Sequence, residues 1–580
     1  MAIALNDEGE VENAIHNYLK AIEISPEFVQ AYNNLGIALK DKGDIHGAID
    51  KYHEAITIDP NFEEAHYNLG RALSEKLSFI KPKTYLHKSI LSLLKNGNFV
   101  RPRTIARTLI RLIKAEKKIA EILSKNTPLN TNSDLEYILD ILNKFPLLLQ
   151  LLKLCPIPDL ELESLFSEIR RYLLFNNEIY EIKNEHCNVI ESLAIQCFIN
   201  EYIYYESQAE RAQINNLIKK LKNLSQKEEF KKIQIACLAS YLPLSKYNLL
   251  DNVKVESQFP ELYKRTIIEP FLEKSILEEI PLLHKISDKI SSKVKDQYEE
   301  NPYPRWVSLL LSKNTSTIKD LIKINNLRLK YKLSLNWEKP AILIAGCGTG
   351  QHSISTAANY SNSNVTAVDL SLASLAYAKR KTAELGLFNL NYIQGDILDI
   401  KYLNKKFDII ECSGVLHHMK SPLDGWKELL SLLQPGGLMK VGLYSKIARK
   451  HLTKLKTRII PKDCNARVDE IRTIRNKIIN LNTKSPIDII RWGDFFSMSE
   501  MRDLMFHVQE HQFTLLQINE MLQELNLSFC GIENVDIKNK FSKKYHEVSD
   551  LYDLNLWHEF EVNNPEIFTG MYQFWCQKKS

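Results

Sequence analysis

Three glycines at alternate positions, in Gly346-Cys347-Gly348-Thr349-Gly350, can do chemistry through the backbone alone. Without Cβ atoms the chain can turn sharply there and let a ligand approach the main chain. The run Ala341-Ile342-Leu343-Ile344-Ala345 leads into the loop and reads as a parallel strand buried on both faces. A helix expected from about Gln351 offers free N–H groups beside the loop. Together these describe a nucleotide-type cofactor loop, with a plain glycine turn as the competing reading. A dinucleotide fingerprint would need its third glycine at position 351, which is Gln, so NAD is disfavoured.

The elements needed to position this loop follow in order. A second strand, Asn364–Val368, ends in Asp369-Leu370, and the Asp369 carboxylate is placed to accept both hydroxyls of a cofactor ribose. A third, Leu390–Gln394, precedes Gly395-Asp396-Ile397, an acceptor for an adenine amino group next to an apolar side chain for the ring. A fourth, Phe407–Ile410, leads through Glu411 to Leu416-His417-His418. A fifth, Leu438–Leu443, follows a turn at Gln434-Pro-Gly-Gly437. Strands alternating with helices make a doubly wound sheet. At its carboxyl edge a neutral His417 or His418 can remove a proton from a nucleophile. The alternative is that one of them only hydrogen-bonds a carbonyl and shapes the pocket.

This series, over residues 338–445, resembles the class I S-adenosylmethionine (SAM) dependent methyltransferases. The resemblance implies SAM as cofactor. Gly346, Cys347, Gly348 and Gly350 would lie around its methionine part, Asp369 and Leu370 at the ribose, and Asp396 and Ile397 at the adenine. The family usually carries an acid two places before the first glycine. This chain has Ile344 there, so a contact to the methionine ammonium must come from elsewhere or be absent. The sequence Leu416-His417-His418 looks like that of methyltransferases acting on small molecules.

Downstream, Phe513-Thr514 is expected to cap a helix through Ile518, Met521, Leu522 and Leu525, followed by strands at Leu527–Ile532 and Met571–Cys576. Residues 446–512 form a long helical insertion, read as a substrate lid. Within it, His507-Val-Gln-Glu510-His511 has the H-x-x-E-H spacing of inverted zinc peptidases, with two histidines one helical turn apart. A structural histidine pair is the favoured reading and no metal is expected, because too little chain follows for a further ligand. His507, Glu510 and His511 remain candidates to face a substrate. Before the domain, Tyr298-Glu-Glu-Asn-Pro-Tyr303-Pro-Arg305-Trp306 resembles the cover over the cofactor in tetratricopeptide-linked bacterial methyltransferases. Tyr303 and Arg305 are its lid candidates, and a rigid linker is the alternative.

Shifting the chain by 34 residues places Ala14 on Ala48, Tyr18 on Tyr52, Ala21 on Ala55 and Pro26 on Pro60, and Leu35-Gly36 on Leu69-Gly70. These residues and this period resemble the tetratricopeptide repeat, with small residues where helices touch and an aromatic wedge between them. The first copy starts partway through its first helix, so the array reads as truncated or as starting upstream. The expected divisions are 1–76 repeats, 77–290 a helical middle, 291–337 cover or linker, and 338–580 a Rossmann-like methyltransferase domain. The fold class is thus multidomain, with an all-α N-terminal half followed by an α/β domain.

Bulk properties limit the partners. The 76 basic residues barely exceed the 71 acidic ones, so nucleic acid is not expected. No apolar run reaches the ~18 residues of a membrane span, and the chain reads as cytoplasmic. Nine cysteines without a C-x-x-C pair are expected to be reduced thiols. The expected function is SAM-dependent methyl transfer to an acceptor the sequence does not specify, with repeats that bind a protein or peptide partner. The alternative is a scaffold that holds SAM without transferring its methyl group.

Overall fold

The computed structural model describes residues 2–7, 9–75, 77, 82–95, 98–125, 128–222, 231–246, 258–311, 315–333, 338–360, 362–481 and 489–579. Residues 312–314 and 334–337 of the expected cover, and 482–488 of the expected lid, lie outside the described residues. The chain separates into two units. One comprises Met1–Pro270, Trp306–Leu311 and Arg491–Ser497, and the other Phe271–Arg305, Ser312–Ile490 and Met498–Ser580.

The first unit is helical throughout its described secondary structure. Its repeats are α1 (Ala2–Asp7), α2 (Val11–Ile24), α3 (Val29–Asp41), α4 (Ile45–Ile58) and α5 (Glu63–Leu73). Small residues let paired helices approach. Ala14, Ala38, Ala48 and Ala55 are fully buried. A Cβ on Gly36 would come within 2.5 Å of the Tyr52 ring, so glycine in α3 is what admits the aromatic wedge of α4. Asp44 caps α4 by accepting the Gly47 N–H at 2.8 Å. Further helices follow, including Leu86–Lys95, Pro102–Lys114, Leu160–Phe175 and Lys232–Tyr241.

The second unit holds the seven strands among the described residues: β1 (Ala341–Ala345), β2 (Asn364–Asp369), β3 (Leu390–Gln394), β4 (Phe407–Ser413), β5 (Leu433–Leu443), β6 (Leu527–Ile532) and β7 (Tyr572–Lys578). Their order is β3-β2-β1-β4-β5-β7-β6. β1 to β5 pair in parallel, while β7 lies antiparallel between β5 and β6. A nicotinamide-type sheet places its sixth strand directly against the fifth, so the inserted β7 separates this sheet from that class. The first strands are almost continuously apolar because helices cover both faces.

The helices of this unit used below are α6 (Lys289–Glu300), α7 (Gln351–Asn359), α8 (Leu372–Glu384), α9 (Pro422–Leu432), α10 (Lys450–Ile459), α11 (Val468–Asn480), α12 (Met498–Phe506), α13 (Leu515–Glu524) and α14 (Leu554–Asn563). One side of the sheet packs Leu343, Ile410, Met439 and Val441 against Trp426 of α9, Ile518 of α13 and Trp557 of α14. Thr514 caps α13 in a capping box with Gln517.

Two local expectations are corrected. Gln434-Pro-Gly-Gly437 is not a turn preceding β5 but a bulge inside it. Leu433 pairs with Phe407 and Leu438 with Ile409, and the strand absorbs the extra residues with Gly436 at φ +72°. His507–His511 do not lie on a helix, since α12 ends at Phe506. The H-x-x-E-H spacing therefore does not put its two histidines on one helical face.

Candidate functional site

The glycine loop leaves β1 at Gly346, with Gly346, Gly348 and Gly350 at φ of +75°, +51° and +87°, a region that L side chains rarely adopt. Gly350 is the N-cap residue of α7. The loop is tied to the end of β2, because the Gly348 N–H donates to Asp369 Oδ2 at 2.7 Å. Asp369 Oδ1 accepts the Ser371 N–H at 2.9 Å. Burial pushes this carboxyl above the ordinary range, against the pull of those N–H donors. Each oxygen retains a second lone pair for a ribose hydroxyl. Cys347 is buried and its thiol pushed well up by burial, so it is no nucleophile here. Asp396 is also buried. Its carboxylate caps the turn after β3 through the Leu398 N–H at 3.0 Å and also meets the Ser291 side chain, with Ile397 buried next to it. Part of its accepting capacity is therefore already used. Leu370 is half-buried, and its carbonyl accepts from Gln394 Nε2 at 3.0 Å.

Residues 281–305 run as a strap along this carboxyl edge. At β3 the Leu283 N–H donates to Gln394 O at 2.8 Å and the Gln394 N–H to Pro281 O at 2.9 Å. At β2 the Ser371 hydroxyl donates to Tyr298 O, and both Glu299 oxygens accept the first N–H groups of α8, from Leu372 at 2.6 Å and Ala373 at 3.0 Å. At β1 the Thr349 N–H donates to Tyr303 O at 3.2 Å and the Thr349 hydroxyl donates to Pro304 O. A Cβ on Gly348 would stand 2.5 Å from Tyr303 O, so the strap and the loop fit only with glycine there. Tyr303 and Arg305 are half-buried. The strap spans the strand ends where adenine, ribose and methionine contacts are expected.

On the other side of the loop, His417 and His418 follow β4. Both are buried, and the His417 main chain is held by the His511 N–H at 2.7 Å. Among the described residues neither ring nitrogen of His417 has a hydrogen-bond partner, while its ring stacks on Tyr444 at 3.9 Å. His418 Nδ1 lies 2.7 Å from Gln509 O, which sets the proton on Nδ1 and leaves the lone pair on Nε2. Burial holds His417 well below the usual imidazole range and His418 at about 4, so both are neutral at pH 7.

His507 stacks on His418 at 3.5 Å and closes a network. The Gln509 N–H donates to His507 Nδ1 at 3.1 Å, and His507 Nε2–H faces the Tyr298 hydroxyl at 3.1 Å. That hydroxyl donates to Asp503 Oδ1 at 2.7 Å, and the Tyr444 hydroxyl donates to Asp503 Oδ2 at 3.3 Å. His418, Asp503 and His507 offer ligand atoms within 4.8 Å of one another, as a metal site would. The hydrogen bonds use the His507 and Asp503 atoms already, and parallel stacked rings aim poorly at one ion, so the group reads as a polar network. Glu510 turns the other way, to Arg449 at 3.3 Å and Lys456 of α10 at 3.1 Å. Burial raises its carboxyl, but these cations outweigh it and hold Glu510 low. His511 Nε2 lies 2.9 Å from the Gln509 amide nitrogen. The Arg449 guanidinium sits 3.7 Å over the Tyr444 ring.

The structure thus brings the loop, Asp369, Asp396, the strap and the histidines to one edge of one sheet. Sequence reasoning missed Glu299, Tyr444, Arg449 and Asp503. Tyr298 and Glu299 lay in the segment read as a cover, but Tyr444, Arg449 and Asp503 belong to no motif and meet only through the fold.

Residues 342–437 match a family model described as a methyltransferase domain. This is a class I SAM-dependent methyltransferase domain. Residues 4–43 and 38–76 match a TPR repeat model, so the chain joins tetratricopeptide repeats to that domain. An uncharacterised protein of Synechococcus sp. is 28% identical over 206 residues, 34% of this chain and 49% of that one. The chain therefore spans about half the length of this curated relative. A ubiquinone biosynthesis O-methyltransferase of Coxiella burnetii is 26% identical over 210 residues, 34% of this chain and 81% of that enzyme. Among solved structures, PKMT2 of Rickettsia typhi aligns at TM-score 0.34 and 15% identity, over 45% of this chain and 54% of that one. No helix among the described residues is long and apolar enough to cross a membrane.

Proposed function

We propose that the chain transfers the SAM methyl group to an acceptor bound over His417 and His418, and that its repeats recruit a protein or peptide partner. The observation that carries the reading is the glycine loop tied through Gly348 to Asp369, with the domain match running through the same residues. Gly346, Gly348 and Gly350 fit the methionine part, Asp369 the ribose and Asp396 with Ile397 the adenine. SAM supplies an electrophilic methyl on a sulfonium. Bound there, that methyl would pass to the acceptor atom as the carbon–sulfur bond breaks and sulfur keeps the electron pair, and the acceptor's proton would pass to a neutral imidazole. His418 suits that role because Nε2 carries its lone pair. Likeness to an O-methyltransferase favours an oxygen acceptor. Much of the acceleration would come from alignment in a site the strap screens from water. Tyr303 and Arg305 in the strap, with His507, Glu510 and His511 beyond α12, are the residues proposed to enclose the acceptor.

The test is calorimetric titration of SAM, S-adenosylhomocysteine and NADH into the protein and into Asp369→Ala. Binding of the first two but not NADH is expected, with a loss of about 1.5–3 kcal/mol in the variant. Binding of NADH alone would overturn the reading. Ile344, fully buried in β1, favours a second one: a scaffold that retains SAM without transferring its methyl group. Methylated product formed from labelled SAM by a bacterial extract with the protein, and not with His418→Ala, would exclude it.

A further inference from the structure

Glu411 is a buried carboxylate that the reaction scheme above leaves without a task. It lies in β4, is 4% exposed, and pairs in register with Ile344, two residues before the glycine loop begins. Its Oε2 accepts from His352 Nε2 at 2.5 Å. His352 is the second residue of α7, where the loop ends. Glu411 is therefore held at both ends of the loop, by strand pairing where the chain enters and by a hydrogen bond where it leaves.

Among the described residues, no lysine or arginine is dedicated to Glu411 alone. Lys440 is 4.0 Å away but lies 2.7 Å from Glu533. Lys440 is thus shared between two carboxylates, Glu411 and Glu533. Burial acts to raise the Glu411 carboxyl, yet His352 and Lys440 outweigh it and keep it ionised. A buried carboxylate with incomplete pairing is costly unless a cation completes it.

We propose that Glu411, positioned by His352, receives the α-ammonium of the SAM methionine part, in place of a carboxylate at position 344. The inference rests on the SAM-binding reading. The ligand class is an amino acid ammonium carried on an adenosyl thioether or sulfonium, and the loop that brackets Glu411 is the one assigned to that part of the molecule.

The experiment uses two ligands that differ in the amino acid part. S-adenosylhomocysteine carries the ammonium and 5′-methylthioadenosine lacks the whole amino acid end. Both are titrated into the full chain and into Glu411→Gln, His352→Gln and the double variant Glu411→Gln/Ile344→Glu. In Glu411→Gln, S-adenosylhomocysteine should bind about ten- to a hundredfold more weakly, while methylthioadenosine binding stays within about twofold of the native value. His352→Gln should shift the first ligand in the same direction by a smaller factor, and the double variant should recover part of the loss. An equal loss for both ligands, or no loss for S-adenosylhomocysteine, would overturn the proposal. If Glu411→Gln does not fold, as judged by circular dichroism, the His352→Gln ratio between the ligands decides by the same criterion. Native protein that binds neither ligand would instead refute the SAM-binding reading beneath it.

Discussion

His418 and His507 illustrate how burial, more than any partner, sets the state of a residue. Their rings stack face to face, and burial pulls both below the ordinary imidazole value of 6.5, to about 4 and about 3. The unfolded chain protonates them first, so the stability carried by their neutral forms is complete above pH 6.5 and is lost as pH falls toward the folded values. Denaturant titration at pH 7 and at pH 5 should show the fold weakened at the lower value, by about 2 kcal/mol from His418 alone. His507→Gln should flatten the slope, and an unchanged slope would mean that His507 titrates normally. The types and positions of these histidines were readable in the chain, but the depth of their burial against Tyr298 and Tyr444 was not, and that burial keeps them neutral even against the pull of Asp503 on His507.

At the scale of elements, the strap matters more than the glycine loop it crosses. Glu299 accepts the first two N–H groups of α8, a position where a carboxylate meets both unpaired donors and the positive end of the helix dipole. Glu299→Ala should lower stability by about 1–2 kcal/mol and raise amide exchange across residues 298–305. Unchanged exchange there would show that the strap is held without this contact. The five parallel strands were legible because each is a short apolar run ending at a residue with a chemical task. The bulge at Gln434–Gly437 was not, since a Pro-Gly-Gly sequence has the same local preferences in a turn and in a bulge. Only the pairing of Leu433 with Phe407 distinguishes them.

For the whole molecule, the residues proposed for chemistry all belong to the second unit and the repeats to the first. Tyr52 fills the space that Gly36 leaves between α3 and α4 and is 1% exposed. Tyr52→Ala should destabilise the repeats by about 3–5 kcal/mol and leave S-adenosylhomocysteine affinity within about twofold, as followed by melting and calorimetry on the same preparation. A large loss of affinity would mean that the repeats and the cofactor edge are coupled.

The order of strand ends, the loop, Asp369 and the repeat period were determined by sequence alone, because each is a local pattern in which backbone freedom, hydrophobic alternation or spacing carries the information. Which carboxylate faces which cation was decided by tertiary structure. Glu411 meets His352 across 59 residues, and Tyr298 meets Asp503 across 205. No local preference encodes such pairs, and they exist only once parallel pairing and helix packing have set the distances.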